Sequence, residues 1–220
     1  ARSTRITMSS VGLRLTEPPH AIQPPSLSTT WRICSNDSVT GAAGDDTISG
    51  GNAFTAADQV NGNAGFDILK ILGNSYAGGV VFNANTVRNI ESFEFDGGGF
   101  NYAVATHDAT INAGQQLKVD AYLGTAGNSI TFDASAETDG SILAYDGLSN
   151  DTFIGGAQSD YLIFTYNGAD TILGNGGDDI FSLGGALDAA DHMDGGAGSD
   201  FLYLDGNYSV TLNVTGSMLT

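Results

Sequence analysis

Five times between residues 146 and 203 a turn-forming run ends on an aspartate, and two positions later comes a large apolar side chain. The stretches are Asp146–Ile154, Gly155–Ile163, Thr165–Leu173, Gly174–Ser182 and Gly195–Tyr203. The fullest is Gly195-Gly196-Ala197-Gly198-Ser199-Asp200-Phe201-Leu202-Tyr203. Gly41–Ser49, Gly62–Lys70 and Gly174–Ser182 repeat it with Ala42, Asn63 and Asn175 at the second position. Gly155–Ile163 carries Gln158 in place of a glycine, and Asp146–Ile154 starts on Asp and has Ser149. Thr165–Leu173 keeps only Gly168, Asp170 and Ile172.

Few folds accept such a period. Six residues rich in glycine turn tightly, using backbone conformations closed to most side chains. Three residues then form a short strand whose central apolar side chain points inward. Two such units make one coil of roughly 18 residues, and coils stack as parallel strands about 4.8 Å apart. The fold class expected is all-β, a right-handed parallel β-roll or β-helix solenoid.

A longer repeat lies over the short one. Residues 44–76 reappear at 177–209 with a constant offset of 133: Gly44-Asp45-Asp46 matches Gly177-Asp178-Asp179, and Ala57-Asp58 through Gly65-Phe66-Asp67 matches Ala190-Asp191 through Gly198-Ser199-Asp200. The chain therefore reads as an excerpt from a tandem array, in which each unit contacts mainly its neighbours. Composition also breaks near residue 40. All four prolines (Pro18, Pro19, Pro24, Pro25), Trp31 and Cys34 precede the break, while Gly12 is the one glycine of 31 to do so. The resulting division is an atypical Pro/Arg-containing segment at 1–40, either a linker or an appended stretch. Nonapeptide repeats follow at 41–72, then a β-rich section of wider coils at 73–145, nonapeptides again at 146–205, and the start of the next β section at 206–220. For 73–145 an independent β-sandwich is the alternative. Helical periodicity is confined to a hint at Ala53–Gln59, matched at Ala186–His192, which reads as an insertion in the turn series.

Acids outnumber bases 25 to 7, for a net charge of −18. From Gly41 onward the only bases are Lys70, Arg88 and Lys118. Such a chain repels phosphate backbones and anionic lipid, which argues against nucleic acid and membrane insertion as partners and in favour of cations. With Cys34 alone there is no disulfide framework and no thiolate metal cluster. Stacked coils bring the aspartates into two columns, one through Asp160, Asp179 and Asp200 and the other through Asp151 and Asp170, with Asp46 over Asp67 at the start. Two carboxylates that close repel by on the order of 1 kcal/mol in water and several-fold more near a protein surface. A hard cation taking carboxylate and carbonyl oxygens removes that penalty. Ca²⁺ suits an irregular oxygen cage better than Mg²⁺, which holds to octahedral geometry and keeps its water.

From Gly41 onward the chain resembles the secreted bacterial RTX proteins, whose Ca²⁺-binding repeat is G-G-x-G-x-D-x-U-x with U a large apolar residue. The resemblance implies a parallel β-roll with several Ca²⁺ ions between its Gly/Asp turns. It also implies folding on contact with external Ca²⁺ and a secreted or cell-surface location reached by type I secretion. The metal-binding positions it implies are Gly41, Gly44 and Asp46; Gly62, Gly65 and Asp67; Asp146 and Asp151; Gly155, Gly156 and Asp160; Gly168 and Asp170; Gly174, Gly176, Gly177 and Asp179; and Gly195, Gly196, Gly198 and Asp200. Repeats of this kind accompany proteases, lipases, toxins and adhesins, so the repeat does not assign an activity.

Enzyme signatures are sparse. There is no H-E-x-x-H, G-x-S-x-G or P-loop. His107 and Asp108 are weak catalytic candidates as a base and its orienter, and Asp133, Glu137 and Asp139 form an acidic cluster suited to a solvated turn or a further Ca²⁺. The primary expectation is a Ca²⁺-dependent structural module of an extracellular protein. The alternatives are a Ca²⁺-dependent hydrolase of an ester, lactone or glycosidic bond, and an adhesin that holds surface polysaccharide through aromatics such as Phe100, Tyr102 and Tyr122. Self-association through open solenoid ends is a further expectation.

Overall fold

A computed structural model describes residues 30–33, 36–52, 54–73, 76, 78–95, 98–121 and 128–208. The first part of the chain carries β1 (Thr30–Ile33), β2 (Ser38–Thr40), β3 (Thr47–Gly50), β4 (Gln59–Asn61) and β5 (Ile68–Ile71). The middle carries β6 (Val80–Val81), β7 (Val87–Arg88), β8 (Ser92–Phe95), β9 (Tyr102–Ala105), β10 (Gln116–Asp120), β11 (Ile130–Asp133) and β12 (Ser141–Tyr145). Then come β13 (Thr152–Ile154), β14 (Tyr161–Ile163), β15 (Thr171–Leu173), β16 (Ile180–Ser182), β17 (His192–Asp194) and β18 (Phe201–Tyr203).

Every strand pairing is parallel, and neighbours in a sheet are never consecutive in the chain. One nine-stranded sheet runs β1-β3-β5-β8-β10-β12-β14-β16-β18. Opposite it lie a six-stranded sheet, β17-β15-β13-β11-β9-β6, and a three-stranded one, β2-β4-β7. The chain thus coils continuously, and the all-β parallel solenoid expected from the repeat is the fold. No helix occurs among the described residues.

Alternation inside short strands builds the core. In the nine-stranded sheet one inward column runs through Ile48, Leu69, Phe93, Val119, Ala144, Leu162 and Phe181, all buried and in register. The facing column holds Val80, Val104, Phe132, Phe153 and Ile172. Burying such side chains contributes about 1.5–3 kcal/mol each.

The section 73–145 belongs to the same coil and is not a sandwich, because β8, β10 and β12 continue the large sheet. Its coils are longer: Ser92 pairs with Lys118 and Leu117 with Ile142, whereas Leu143 pairs with Tyr161 and Tyr161 with Ile180. Aromatic side chains fill the added width. Phe82 meets Phe93 edge-on at 6.0 Å, Phe93 meets Phe132 at 6.2 Å, and Phe95 meets Tyr102 at 5.3 Å. Tyr102 therefore lies in the core, and Phe100 packs against it; neither is a free aromatic on a binding face. Tyr122 lies outside the described residues.

The helical hint at Ala53–Gln59 resolves, over the described residues 54–59, as an insertion of turns: the Phe54 and Asp58 amides close successive turns on the Gly51 and Thr55 carbonyls, and Asp58 accepts from the Thr55 amide and hydroxyl. A buried carboxylate in place of a continuing backbone ladder ends any helical run. The solenoid also begins before the composition break at residue 40, since β1 pairs with β3 and β2 with β4. Proline and glycine content marked the break, but the alternation that places Ile33 in the core continues across it.

Candidate metal centre

Each nonapeptide turn enters its strand through the aspartate, and that carboxylate points inward. Asp46, Asp67, Asp151, Asp160, Asp170 and Asp179 are all buried. Buried carboxylates are costly unless something compensates them. Part of the compensation is a coil-to-coil ladder in which one oxygen of each aspartate accepts the amide of the corresponding residue one coil earlier. Asp67 Oδ1 accepts from Asp46 N at 2.8 Å, Asp179 Oδ1 from Asp160 N at 2.8 Å and Asp200 Oδ1 from Asp179 N at 3.1 Å. On the other edge Asp170 Oδ1 accepts from Asp151 N at 2.8 Å. The structure therefore brings the aspartates together in the pairs expected from the repeat.

The second oxygen differs from turn to turn. Asp46, Asp151 and Asp160 use Oδ2 to accept an amide of their own turn, from Ala42, Gly147 and Gly156. Asp67 Oδ2 and Asp179 Oδ2 are buried with no hydrogen-bond partner. Burial is the main reason that Asp179 is pushed up to about 7, opposed by the Asp160 amide and reinforced by the carboxylates of Asp160, Asp200 and Asp178. Burial likewise lifts Asp67 and Asp160 to about 6 and Asp170 to about 7, and raises Asp151.

Glycine at the first position of the turn makes room for a second kind of oxygen. A side chain at Gly174 would collide with Asp179 Oδ2 and with the Gly195 carbonyl of the next coil. Gly155 stands in the same relation to Asp160 Oδ2 and the Gly174 carbonyl, and Gly41 to Asp46 Oδ2 and the Gly62 carbonyl. Gly195 faces Asp200 Oδ2. Gly156 instead abuts Glu137, and Gly168 lies against Asp170 Oδ1 and the Ser149 carbonyl. At the fourth position Gly44, Gly65, Gly177 and Gly198 have φ of 110°, 150°, 107° and 147°, which a β-carbon resists. The second position is left-handed at Asn63, Asn175 and Gly196, which explains the asparagines there: Asn tolerates that conformation. Gly176 makes an isolated parallel bridge to Ala197, as Ala43 does to Ala64.

The donor set is oxygen only, carboxylate plus main-chain carbonyl. Among the described residues no three His, Cys, Asp or Glu side chains gather as a metal cluster, so a cation here would depend on backbone oxygens as well. An orphaned buried carboxylate oxygen beside a carbonyl, in space only glycine leaves open, fits a hard ion such as Ca²⁺.

Several acids play parts that the motif did not assign. Asp191 Oδ1 accepts from Asp170 N at 3.0 Å and Asp58 Oδ1 from Asp37 N at 2.6 Å, extending the second edge in both copies of the long repeat. Their shared place in the 133-residue match was the available signal. Glu91 Oε2 accepts from Asp67 N at 2.7 Å. Asp146, also expected among the metal positions, accepts from the amides of Thr165 and Tyr166 one coil on, and burial pushes it up to about 7.

The remaining candidates do not converge. His107 Nδ1 accepts the Ala109 amide, while Asp108 Oδ1 accepts the amide and hydroxyl of Thr138. Both side chains thus shape turns, and no hydrogen bond joins them into a base and orienter. In the acidic cluster Asp133 accepts from Ser135 N and Asp139 is exposed. Glu137 alone is fully buried, with neither carboxylate oxygen in a hydrogen bond, and that burial pushes it up to about 7.

Comparison with protein families matches the RTX calcium-binding nonapeptide repeat in four copies, at residues 35–69, 144–164, 162–188 and 186–207. No curated protein and no solved structure matches the chain. The four matched segments contain the aspartate ladders and glycine cradles of both edges, and over those segments the chain carries RTX calcium-binding nonapeptide repeats.

Proposed function

We propose that the chain is a Ca²⁺-dependent structural module of an extracellular protein, with ions held between successive coils at both edges of the solenoid. The ligands are the inward carboxylates of Asp46, Asp67, Asp151, Asp160, Asp170, Asp179 and Asp200, together with carbonyls that the first-position glycines leave accessible. In this reading 41–72 and 146–205 are the ion-dependent runs, and 73–145 is a wide-coil spacer between them. The observation that carries it is the buried, unpartnered Oδ2 of Asp179 beside the Gly195 carbonyl. An ion there would neutralise charge that burial otherwise makes expensive and would tie adjacent coils together. Folding and metal binding are then one event, suited to a chain that leaves the cell unfolded and meets Ca²⁺ outside. Circular dichroism during a Ca²⁺ titration, with Mg²⁺ as control, tests this. Cooperative gain of β signal with Ca²⁺ alone is expected; equal β structure in chelator refutes it.

One observation favours a second role, contact with an uncharged surface polysaccharide. Tyr161, Ile180 and Phe201 stand exposed in one register row on the outer face of the large sheet, with Tyr203 beside them. Flat aromatic and aliphatic surface stacks on sugar rings, and a net charge of −18 disfavours acidic glycans. Replacing Phe201 and Tyr203 by Ser should abolish retention on an immobilised neutral glucan; unchanged retention refutes the assignment.

A further inference from the structure

We infer that the turn Asn89–Glu91, which carries no nonapeptide, completes an additional Ca²⁺ site with Asp67 at the junction between the first nonapeptide run and the wide coils. The inference rests on the aspartate ladders being ion sites.

The junction copies a nonapeptide pair part by part. Between the first two coils, Asp46 N donates to Asp67 Oδ1, and Gly41 faces both its own turn's Asp46 Oδ2 and the Gly62 carbonyl. One coil on, Asp67 N donates to Glu91 Oε2, and Gly62 faces both Asp67 Oδ2 and the Asn89 carbonyl. Asn89 thus supplies the oxygen that a first-position glycine supplies elsewhere, and Glu91 takes the place of the aspartate. The turn is shorter than a nonapeptide turn, yet Ile68 pairs with Ser92 as Thr47 pairs with Ile68, so Glu91 stands at the strand entry where the aspartate stands in a nonapeptide.

Local structure holds these oxygens in place. Asn89 is left-handed at φ 50°, a conformation asparagine tolerates. Its side chain is fastened on both sides, donating to Asn61 Oδ1 at 2.7 Å and accepting from Asn112 Nδ2 at 2.9 Å. Ile90 is buried in the core, and the Glu91 and Ser92 amides both donate to the Asp67 carbonyl. Arg88, the nearest base in sequence, is exposed on the outside of the coil. Into this frame points Asp67 Oδ2, fully buried and without a partner. Two carboxylates and a fixed carbonyl converge there, which is the chemistry a hard divalent cation takes.

Native mass spectrometry of the full chain in Ca²⁺ tests the inference, with folding of every variant checked by circular dichroism. Glu91→Gln keeps an oxygen for the Asp67 amide and removes the charge; it should bind one Ca²⁺ fewer than the parent. Asp179→Asn, in the far run, serves as benchmark and should also lose ion. Loss in Asp179→Asn with an unchanged count in Glu91→Gln overturns the inference and leaves the ladder reading standing. An unchanged count in Asp179→Asn overturns the ladder reading and, with it, the basis for this site. If Glu91→Gln does not fold, Glu91→Asp replaces it: the charge stays, the reach shortens, and the weakest-bound ion should need at least tenfold more Ca²⁺. Unaltered binding in Glu91→Asp then counts against the site.

Discussion

Coils from Tyr161 to Tyr203 and coils from Ser92 to Tyr145 stack in the same sheet, yet their interiors are built from different chemistry. In the narrow coils β14, β15 and β16 each offer one deeply buried side chain, Leu162, Ile172 and Phe181, and the turn before each buries an aspartate. In the wide coils Phe82, Phe93, Phe95, Tyr102 and Phe132 pack ring against ring, and the turns bury Thr106, Thr110 and Glu137 rather than a series of aspartates. On the proposed reading a nonapeptide coil, thin and charged, depends on Ca²⁺ in order to stack, whereas a wide coil stacks on its buried aromatic surface.

The largest effect should come from chelation. With Ca²⁺ removed, hydrogen exchange in β14, β16 and β18 should accelerate toward the unfolded rate, while β10–β12 keep measurable protection. Equal loss in both regions would show one cooperative unit and dissolve the contrast.

Truncating a wide-coil aromatic is next. Phe132→Ala should cost about 3–5 kcal/mol in denaturant unfolding, with Ca²⁺ or without it. A cost that appears only in Ca²⁺ would mean that the wide coils also depend on the ions.

Asp179→Asn should change sign with conditions. At tenfold excess Ca²⁺ over the dissociation constant, losing one site costs about 1.4 kcal/mol. In chelator the same variant should be more stable than the parent, because the buried charge is gone while an oxygen remains for the Asp160 amide. A variant less stable under both conditions would make the aspartate a turn cap and nothing more.

The smallest and most diagnostic effect is that of pH in chelator. Asp160 near 6 and Asp170 and Asp179 near 7 lie above the ordinary 3.8, so the fold holds their protons more tightly than the unfolded chain does. That stabilisation is complete below the unfolded value and is lost as pH rises through the folded values. Apo protein should thus gain β signal in the narrow coils as pH falls from about 7.5 to about 4.5, with protons standing in for metal. In Ca²⁺ the trend should reverse, since protons displace the ion. A flat apo profile would sever burial of the aspartates from the need for metal.

The ladders were legible because Asp and the apolar residue recur at fixed offsets, so Asp160, Asp179 and Asp200 had to stack once the coil closed. Asp191 and Asp58 were harder to see: the turns before them, Ala186–Ala190 and Ala53–Ala57, lack the glycines that mark the motif. Glu91 was invisible to motif reading, because a short Asn-Ile-Glu turn has neither the length nor the acid of a nonapeptide. Asp146 opens a period rather than closing one, and it reaches forward to the amides of Thr165 and Tyr166 one coil on, which the motif did not foretell. Position within a repeat does not determine which way a side chain turns at the start of a bend.

Sequence alone determined the coil, the alternation of its two edges and the identity of the stacked aspartates, since these follow from a short period that chain geometry allows to close in only one way. Tertiary structure decided which carboxylate oxygens are spent on amides and which are left bare, how the wide coils fill with rings, and that Asn89 and Glu91 stand in for a missing repeat. Those outcomes depend on distances between coils some 20 residues apart, and a local pattern contains no record of what its neighbour one turn away will present.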